Sequence, residues 1–172
     1  MNNKGIVLIL YPNKKHIPCF KQEVGNQRFL WNHFMDLQIK EYKKSGKFLF
    51  YNEMAAMLPK LKEEFPFLKI GNSQSLQQTL KDLEKAFKAF FKGNSEFPKF
   101  KKYGSNDSYR IPQHFKRKKG KIKLPKIGVV RCRGSFPSKK DKVKSITISY
   151  DCGKWFASLC VEFTPILFKE NF

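Results

Sequence analysis

The sequence has little that would suit a membrane protein, a disulfide-bonded protein or a metal centre. Its apolar runs stay well short of the roughly 18 residues that a membrane-spanning helix needs. Its four cysteines form no CxxC pair and its three histidines do not cluster, so we expect free thiols in a reducing cytosol and no bound zinc. The apolar stretch at residues 5–11 lacks a small-residue cleavage site and ends at Pro12, which favours a buried strand over a signal peptide.

Acidic residues are also scarce. Lys and Arg number 35 against 14 Asp and Glu, and the resulting net charge of +21 causes self-repulsion that a polyanionic partner would relieve. Residues 99–144 hold 17 basic and two acidic residues, a net +15, whereas residues 13–98 hold 15 basic and nine acidic residues, a net +6. Binding to a membrane surface would require a basic amphipathic helix or a lipid anchor, and the basic stretch is predicted to form strands and turns. Nucleic acid is therefore the better candidate partner.

The most regular pattern lies in residues 71–103. Its apolar residues recur at steps of three and four, which predicts one amphipathic helix; they are Leu76, Leu80, Leu83, Phe87 and Phe90. Asn72 or Ser73 can cap the start of this helix, and Gly93 can end it in a left-handed conformation. The other helix face is rich in Lys and Gln, and residues 94–103 continue as a basic, aromatic strap. Two interpretations are open: a core helix with a solvated lysine face, or a surface for a nucleic acid.

The remaining segments predict an α+β fold. We expect one helix to start at Asn13 and to be interrupted at residues 25–26, a second to end at Gly46, and a third to be capped by Asn52. From Tyr109 onward apolar residues alternate with polar ones, and residues 151–154 form a hairpin turn. Because the N-terminal strand needs sheet partners, residues 1–12 and 104–165 are predicted to form a small β-barrel-like domain. A helical domain, residues 13–103, is inserted between them, and residues 166–172 form a tail.

Eight ordered sequence blocks span nearly the whole chain. They are LYPN (10–13), RFLWNHF (28–34), YKKSGKFLFY (42–51), SLQQTLKDLEKAFKAFF (75–91), FPKFKK (97–102), SYRIPQ (108–113), IKLPKIGVVR (122–131) and ITISYDCGKWFASLCVE (146–162). This order resembles the OrfB/TnpB family of insertion-sequence proteins, RNA-guided DNA nucleases related to type V CRISPR effectors. The resemblance implies a β wedge domain and a helical, helix-turn-helix-like recognition domain. It also implies a location in the prokaryotic cytosol and two partners, a guide RNA from the transposon end and duplex DNA with a short target-adjacent motif.

The sequence departs from the family after residue 163. Family members continue into a RuvC-like nuclease with three acidic residues and a four-cysteine zinc ribbon, whereas this chain ends at Phe172. We therefore expect this chain alone to bind without cleaving and to carry no cofactor, with Mg²⁺ needed only by the nuclease domain and a RuvC-bearing chain as a candidate partner in trans. An enzyme of another kind is least favoured, because no glycine-rich phosphate loop is present and no histidine neighbours an obvious nucleophile. A standalone DNA-binding repressor or an RNA-binding protein remains the alternative function.

Candidate nucleic-acid-binding residues fall into two sets. The resemblance implies that six positions read the DNA motif: Tyr51, Ser73, Gln74, Gln77, Gln113 and His114. Helix N-termini attract phosphate and Gln can pair with adenine, which suits this role. The backbone-binding set is Lys99, Lys101, Lys102, Arg110, Lys116, Arg117, Lys118, Arg131 and Arg133. Lys81, on the lysine-rich face of the predicted helix, is a further nucleic-acid-binding candidate. The alternatives are a Tyr51 that packs beneath the helix and basic residues that are simply solvated.

Overall fold

The computed structural model of the protein describes residues 2–163, so that residues 164–165 and the predicted tail, 166–172, lie outside the described residues. Within that range the helices are α1 (His16–Ser45), α2 (Tyr51–Glu64), a short 3₁₀ helix (Pro66–Lys69) and α3 (Ser73–Phe91). The strands are β1 (Asn2–Tyr11), β2 (Ser108–Ile111), β3 (Lys116–Lys118), β4 (Lys121–Leu124), β5 (Gly128–Arg133), β6 (Lys142–Asp151) and β7 (Lys154–Phe163).

All seven strands form one antiparallel sheet in the order β2-β6-β7-β1-β5-β4-β3. The predicted α+β class is confirmed, and β1 does pair with strands from the C-terminal half. The sheet is nevertheless open, because the edge strands β2 and β3 do not pair with each other in the described part of the chain. The predicted turn between β6 and β7 is confirmed at residues 152–153, where both residues have positive φ, as a tight two-residue hairpin requires.

Helix α1 runs unbroken, so the predicted interruption at residues 25–26 is wrong. Asn26 is buried and its side chain is used inside the fold: its Oδ1 accepts from Gln22 Nε2 at 2.7 Å and its Nδ2 donates to the carbonyl of Phe67 at 3.5 Å. These contacts offset the cost of Gly25 inside the helix, since a mid-helix glycine destabilises by roughly 0.5–1 kcal/mol relative to alanine. At the start of α1, Asn13 Oδ1 accepts from the backbone N–H groups of Lys15 and His16, which confirms the capping role predicted for Asn13.

The predicted cap of α2 is wrong and that of α3 is confirmed. Helix α2 begins at Tyr51, before Asn52, and carboxylates satisfy its first N–H groups: Glu53 accepts from Phe50 at 2.8 Å, and Glu84 accepts from Tyr51 at 3.1 Å. At α3, Asn72 Oδ1 accepts from the N–H of Gln74 at 3.2 Å. Gly93, with φ of +74°, follows the end of α3 as predicted.

Two apolar cores lie on either side of the middle of α1. Phe20 and Val24, from its first half, pack with the inner face of the sheet, and Leu30 and Phe34, from its second half, pack with α2 and α3. At about 1.5 Å per residue, the 30 residues of α1 extend about 45 Å. One helix therefore joins the sheet to the helical segment and sets how the surfaces of the two are placed.

Candidate nucleic-acid interface

The first turns of α3 gather several of the predicted motif-reading residues. Ser73, Gln77 and Lys81 follow one another at steps of four residues, so they lie on the same helix face, and all three are exposed. Tyr51, at the start of α2, joins them because Lys81 Nζ lies 5.1 Å from the centre of its ring. Gln74 is half-buried, and its Oε1 has no hydrogen-bond partner among residues 2–163. We name Tyr51, Ser73, Gln74, Gln77 and Lys81 the α3 cluster.

Lys62 adjoins this cluster and was missed by the sequence reasoning. Its ammonium donates to Ser73 Oγ at 3.0 Å, and partial burial lowers its pKa. Lys62 lies on α2, and the sequence carries no spacing signal that would link it to Ser73, because a turn and a 3₁₀ helix separate the two residues. The contact brings a second cation to the amino end of α3.

The strap is fastened to α1 by two side chains in the RFLWNHF block. Trp31 Nε1 donates to the carbonyl of Lys99 at 2.9 Å, while Asn32 accepts from the N–H of Lys101 at 2.7 Å and donates to its carbonyl at 2.9 Å. Lys101 Nζ lies 4.4 Å from the centre of the Trp31 ring, and burial lowers its pKa. The predicted phosphate contacts in the strap thus differ: Lys99 and Lys102 are exposed, whereas Lys101 is half-buried against an indole.

Of the nucleic-acid-binding residues predicted in and after β2, Arg110 lies next to α3. Arg110 NH1 is 3.1 Å from Asp82 Oδ1, which ties β2 to α3. Gln113 and His114 follow β2 and are exposed, and neither side chain forms a hydrogen bond with the α3 cluster within residues 2–163. His114 has a φ of +65°, a conformation that few residues other than glycine adopt.

Exposed basic residues cover one face of strands β3, β4 and β5. This basic sheet face consists of Lys116, Lys118, Lys121, Lys123, Arg131 and Arg133, which alternate with residues that point to the core or the adjoining loop. In the strand register Lys116 is directly opposite Lys123, and Lys121 is directly opposite both Lys118 and Arg131. Directly opposed like charges destabilise a sheet. A bound polyanion would remove that cost.

Arg117 differs from the other basic residues of β3. Its NH2 group donates to the backbone carbonyls of Ser138 at 2.8 Å and of Asp141 at 2.7 Å. The guanidinium therefore holds the loop between β5 and β6. Arg117 stays a predicted phosphate contact in addition to this structural role. Lys121 and Lys123 belong to the basic sheet face but were not among the predicted site residues. Their alternation with Ile122 and Leu124 is the signal that could have found them.

Several acidic side chains of the described residues lie beside basic ones. No group of three or more His, Cys, Asp or Glu side chains in residues 2–163 could hold a metal ion. Six acidic side chains lie instead within 4 Å of a basic one: Asp36, Asp82, Glu84, Glu96, Asp107 and Glu162. Glu23 is buried at the α1–α3 junction, where its Oε1 accepts from the N–H of Asn72 at 2.7 Å. The expected free thiols are confirmed at Cys19, Cys132, Cys152 and Cys160.

The fold and these surfaces define a basic α+β protein with helices inserted between strands of one sheet. No protein-family model matches the sequence. The chain is 41% identical over 142 residues to "Putative RNA-guided DNA endonuclease InsQ" of Escherichia coli (strain K12), a match that covers 80% of this chain and 35% of the relative. It is 27% identical over 165 residues to a "Putative RNA-guided DNA endonuclease" of Streptomyces pristinaespiralis, covering 90% of this chain and 40% of the relative.

These matches confirm the resemblance to the OrfB/TnpB family that the sequence blocks indicate. The chain spans well under half the length of the two relatives. None of the described helices combines the length and the apolarity that crossing a membrane would require.

Proposed function

We propose that residues 1–172 bind a guide RNA and duplex DNA with a short target-adjacent motif, as the nucleic-acid-binding part of an RNA-guided DNA nuclease. The observation that carries the proposal is the basic sheet face, in which Lys121 lies directly opposite both Lys118 and Arg131. Such an arrangement gains stability from a polyanion. The names of the two relatives supply the RNA-guided part of the proposal.

We assign residues 1–12 and 104–165, a range that contains the sheet described between residues 2 and 163, to a wedge domain and residues 13–103 to a recognition domain. The α3 cluster is the proposed reader of the DNA motif, because Gln77 is exposed at the amino end of α3 and can pair with a base edge. The exposed basic residues of the basic sheet face and the exposed lysines of the strap, Lys99 and Lys102, are the proposed contacts to phosphate.

We assign cleavage to a RuvC-type nuclease site outside residues 2–163, because those residues gather no group of three or more His, Cys, Asp or Glu side chains that could hold a metal ion. In this proposal divalent metal ions bind only at that nuclease site. The site is supplied by a RuvC-bearing polypeptide, either in the same chain or as a separate chain in trans. The 172-residue chain, mixed with guide RNA, target duplex and Mg²⁺, is expected to retard the duplex on a gel and to leave it intact. Cleavage that disappears on mutation of an acidic residue within residues 1–172 would contradict this assignment.

The binding proposal is tested by neutralising part of the basic sheet face. We expect Lys121→Gln combined with Lys123→Gln to lower the slope of log affinity against log salt by about 1.5, since each phosphate contact contributes about 0.7–0.9. The matched control is Lys60→Gln combined with Lys69→Gln, which removes two exposed lysines elsewhere. Equal slopes for both double variants would contradict the proposal.

The RNA partner is identified by sequencing RNA that copurifies with the protein from its host. Enrichment of a structured transcript from a transposon end supports a guide RNA. A random RNA profile would instead favour the alternative function, a standalone DNA-binding repressor or a nonspecific RNA-binding protein.

A further inference from the structure

A small aromatic slot lies between the first half of α1, the loop at residues 103–107 and the turn between β6 and β7. Its volume is about 260 Å³, and Tyr103, Tyr150 and Trp155 are among its lining residues. Tyr103 is 83% exposed and Tyr150 is 43% exposed, so both rings are available to a ligand. Ligand pockets usually measure about 300–1,000 Å³, so a slot of this size suits a single flat group and excludes a duplex.

The slot is held in shape before any ligand binds. The ring of Tyr150 lies 5.0 Å from that of Trp155, which in turn packs on buried Phe20 at 4.9 Å. The N–H of Tyr150 donates to the carbonyl of Asp107 at 3.0 Å, which joins the β6 wall to the loop. Preorganisation of this kind lowers the entropic cost of binding.

Positive charge stands beside the aromatic rings. Lys21 and Arg28, both on α1, line the slot. The guanidinium carbon of Arg28 is 4.9 Å from the centre of the Tyr103 ring, and Arg28 NH1 is 3.0 Å from Asp107 Oδ1. Aromatic rings flanked by cations are the arrangement that binds unpaired nucleotides, whose bases stack while their phosphates pair with the cations.

Asp107 gives the slot a feature that favours ribose. It lines the slot, and its second carboxylate oxygen makes no hydrogen bond with other side chains in residues 2–163. A carboxylate repels phosphate and accepts a hydrogen bond from a 2′-hydroxyl, the group that distinguishes RNA from DNA.

We infer that this slot binds one unpaired RNA nucleotide, with its base against Tyr103 and Tyr150, its phosphate near Lys21 and its 2′-hydroxyl at Asp107. The inference rests on the proposed nucleic-acid function and adds to it a site for a single-stranded junction. The slot uses none of the residues of the α3 cluster or the basic sheet face.

The test compares a blunt RNA duplex with the same duplex carrying a short overhang that contains 2-aminopurine. We expect the protein to bind the overhang probe more tightly and to quench its fluorescence, because stacking on an aromatic ring quenches this base. Tyr103→Ala is expected to weaken overhang binding about tenfold and to leave blunt-duplex binding unchanged. Tyr150→Phe, which keeps the ring, is expected to retain both the affinity and the quenching.

Tyr42→Ala is the matched control, because Tyr42 is 57% exposed near the opposite end of α1. If wild-type protein bound the blunt and overhang probes equally, the slot would not be a nucleotide-binding site, and the proposed function would be unaffected. Failure to bind either probe at low salt would overturn the proposed function itself. A DNA overhang that binds as tightly as the RNA overhang would overturn the assignment to RNA.

Discussion

Gln74 and Gln77 lie one turn apart on α3 in different surroundings. Gln77 is exposed, whereas Gln74 is half-buried with an unpartnered Oε1. We predict that Gln77→Ala lowers affinity for a duplex with the matched motif by about 1–3 kcal/mol, the usual cost of one lost base contact. Binding to a scrambled duplex should stay constant.

The comparison variant for Gln77→Ala is Lys121→Ala, which removes a proposed phosphate contact and should weaken matched and scrambled duplexes alike. Fluorescence anisotropy with both duplexes measures the two effects. If Gln77→Ala weakened both duplexes equally, Gln77 would not read sequence.

The buried carboxyl group of Glu23 should make the stability of the folded protein depend on pH. Its burial raises the pKa of the carboxyl group, against the opposing effect of the hydrogen bond from the N–H of Asn72. Because the folded state holds the proton more tightly than the unfolded chain, the stabilising effect is complete below the ordinary glutamate pKa and is lost as pH rises through the raised value. We therefore predict that wild-type protein loses stability relative to Glu23→Gln as pH increases from about 4.

Urea unfolding of both proteins at several pH values measures this difference. The comparison of wild type with Glu23→Gln cancels the contributions of all other titrating groups, because the two proteins differ only at residue 23. A stability difference that is constant with pH would show that Glu23 keeps an ordinary pKa in the fold.

At the scale of elements, two of the asparagines predicted to cap helices, Asn72 and Asn52, allow a matched test. Asn72 caps α3 and also donates to Ser75 Oγ at 3.1 Å, whereas Asn52 lies exposed in the first turn of α2. We predict that Asn72→Ala costs about 1 kcal/mol of stability and that Asn52→Ala changes stability by less than about 0.5 kcal/mol. Thermal unfolding measures both, and an equal loss would refute the assignment of the caps.

These two caps also show what local sequence can predict. Asn72 was predictable because the apolar spacing from Leu76 to Phe87 fixes where α3 begins. The start of α2 was not predictable, because Glu84, a carboxylate 33 residues away, accepts from Tyr51 and helps to hold it. Likewise Gly25 and Asn26 have the composition of a break, and only the distant contact to Phe67 shows why α1 continues.

At the scale of the whole molecule, the charge distribution predicts strong salt dependence. If residues 99–144 neutralise roughly 6–10 phosphates, log affinity should fall with log salt at about 0.9 per contact on duplex DNA and 0.7 on single strands. Titration between low and physiological salt measures the slope. A flat titration would show that this basic stretch is not the contact surface.

The candidate site was predictable where motifs are local and unpredictable where the fold joins distant residues. Alternation in residues 121–133 predicts strands with one polar face. The opposition of Lys121 to Lys118 and Arg131 depends on the register of three strands, which the sequence does not specify. Trp31 and Asn32 were visible in a sequence block, but their contacts with the strap about 70 residues away required the structure.

The central position of β1 has a consequence for the order in which the chain is synthesised. Its neighbours are β5 and β7, so β1 cannot complete its pairing until residue 163 has been made. Residues 30–87, by contrast, contain a complete apolar core of their own. We therefore expect the helical core to form before β1 completes its pairing, so that the apolar β1 is the segment that a chaperone would have to shield in the meantime.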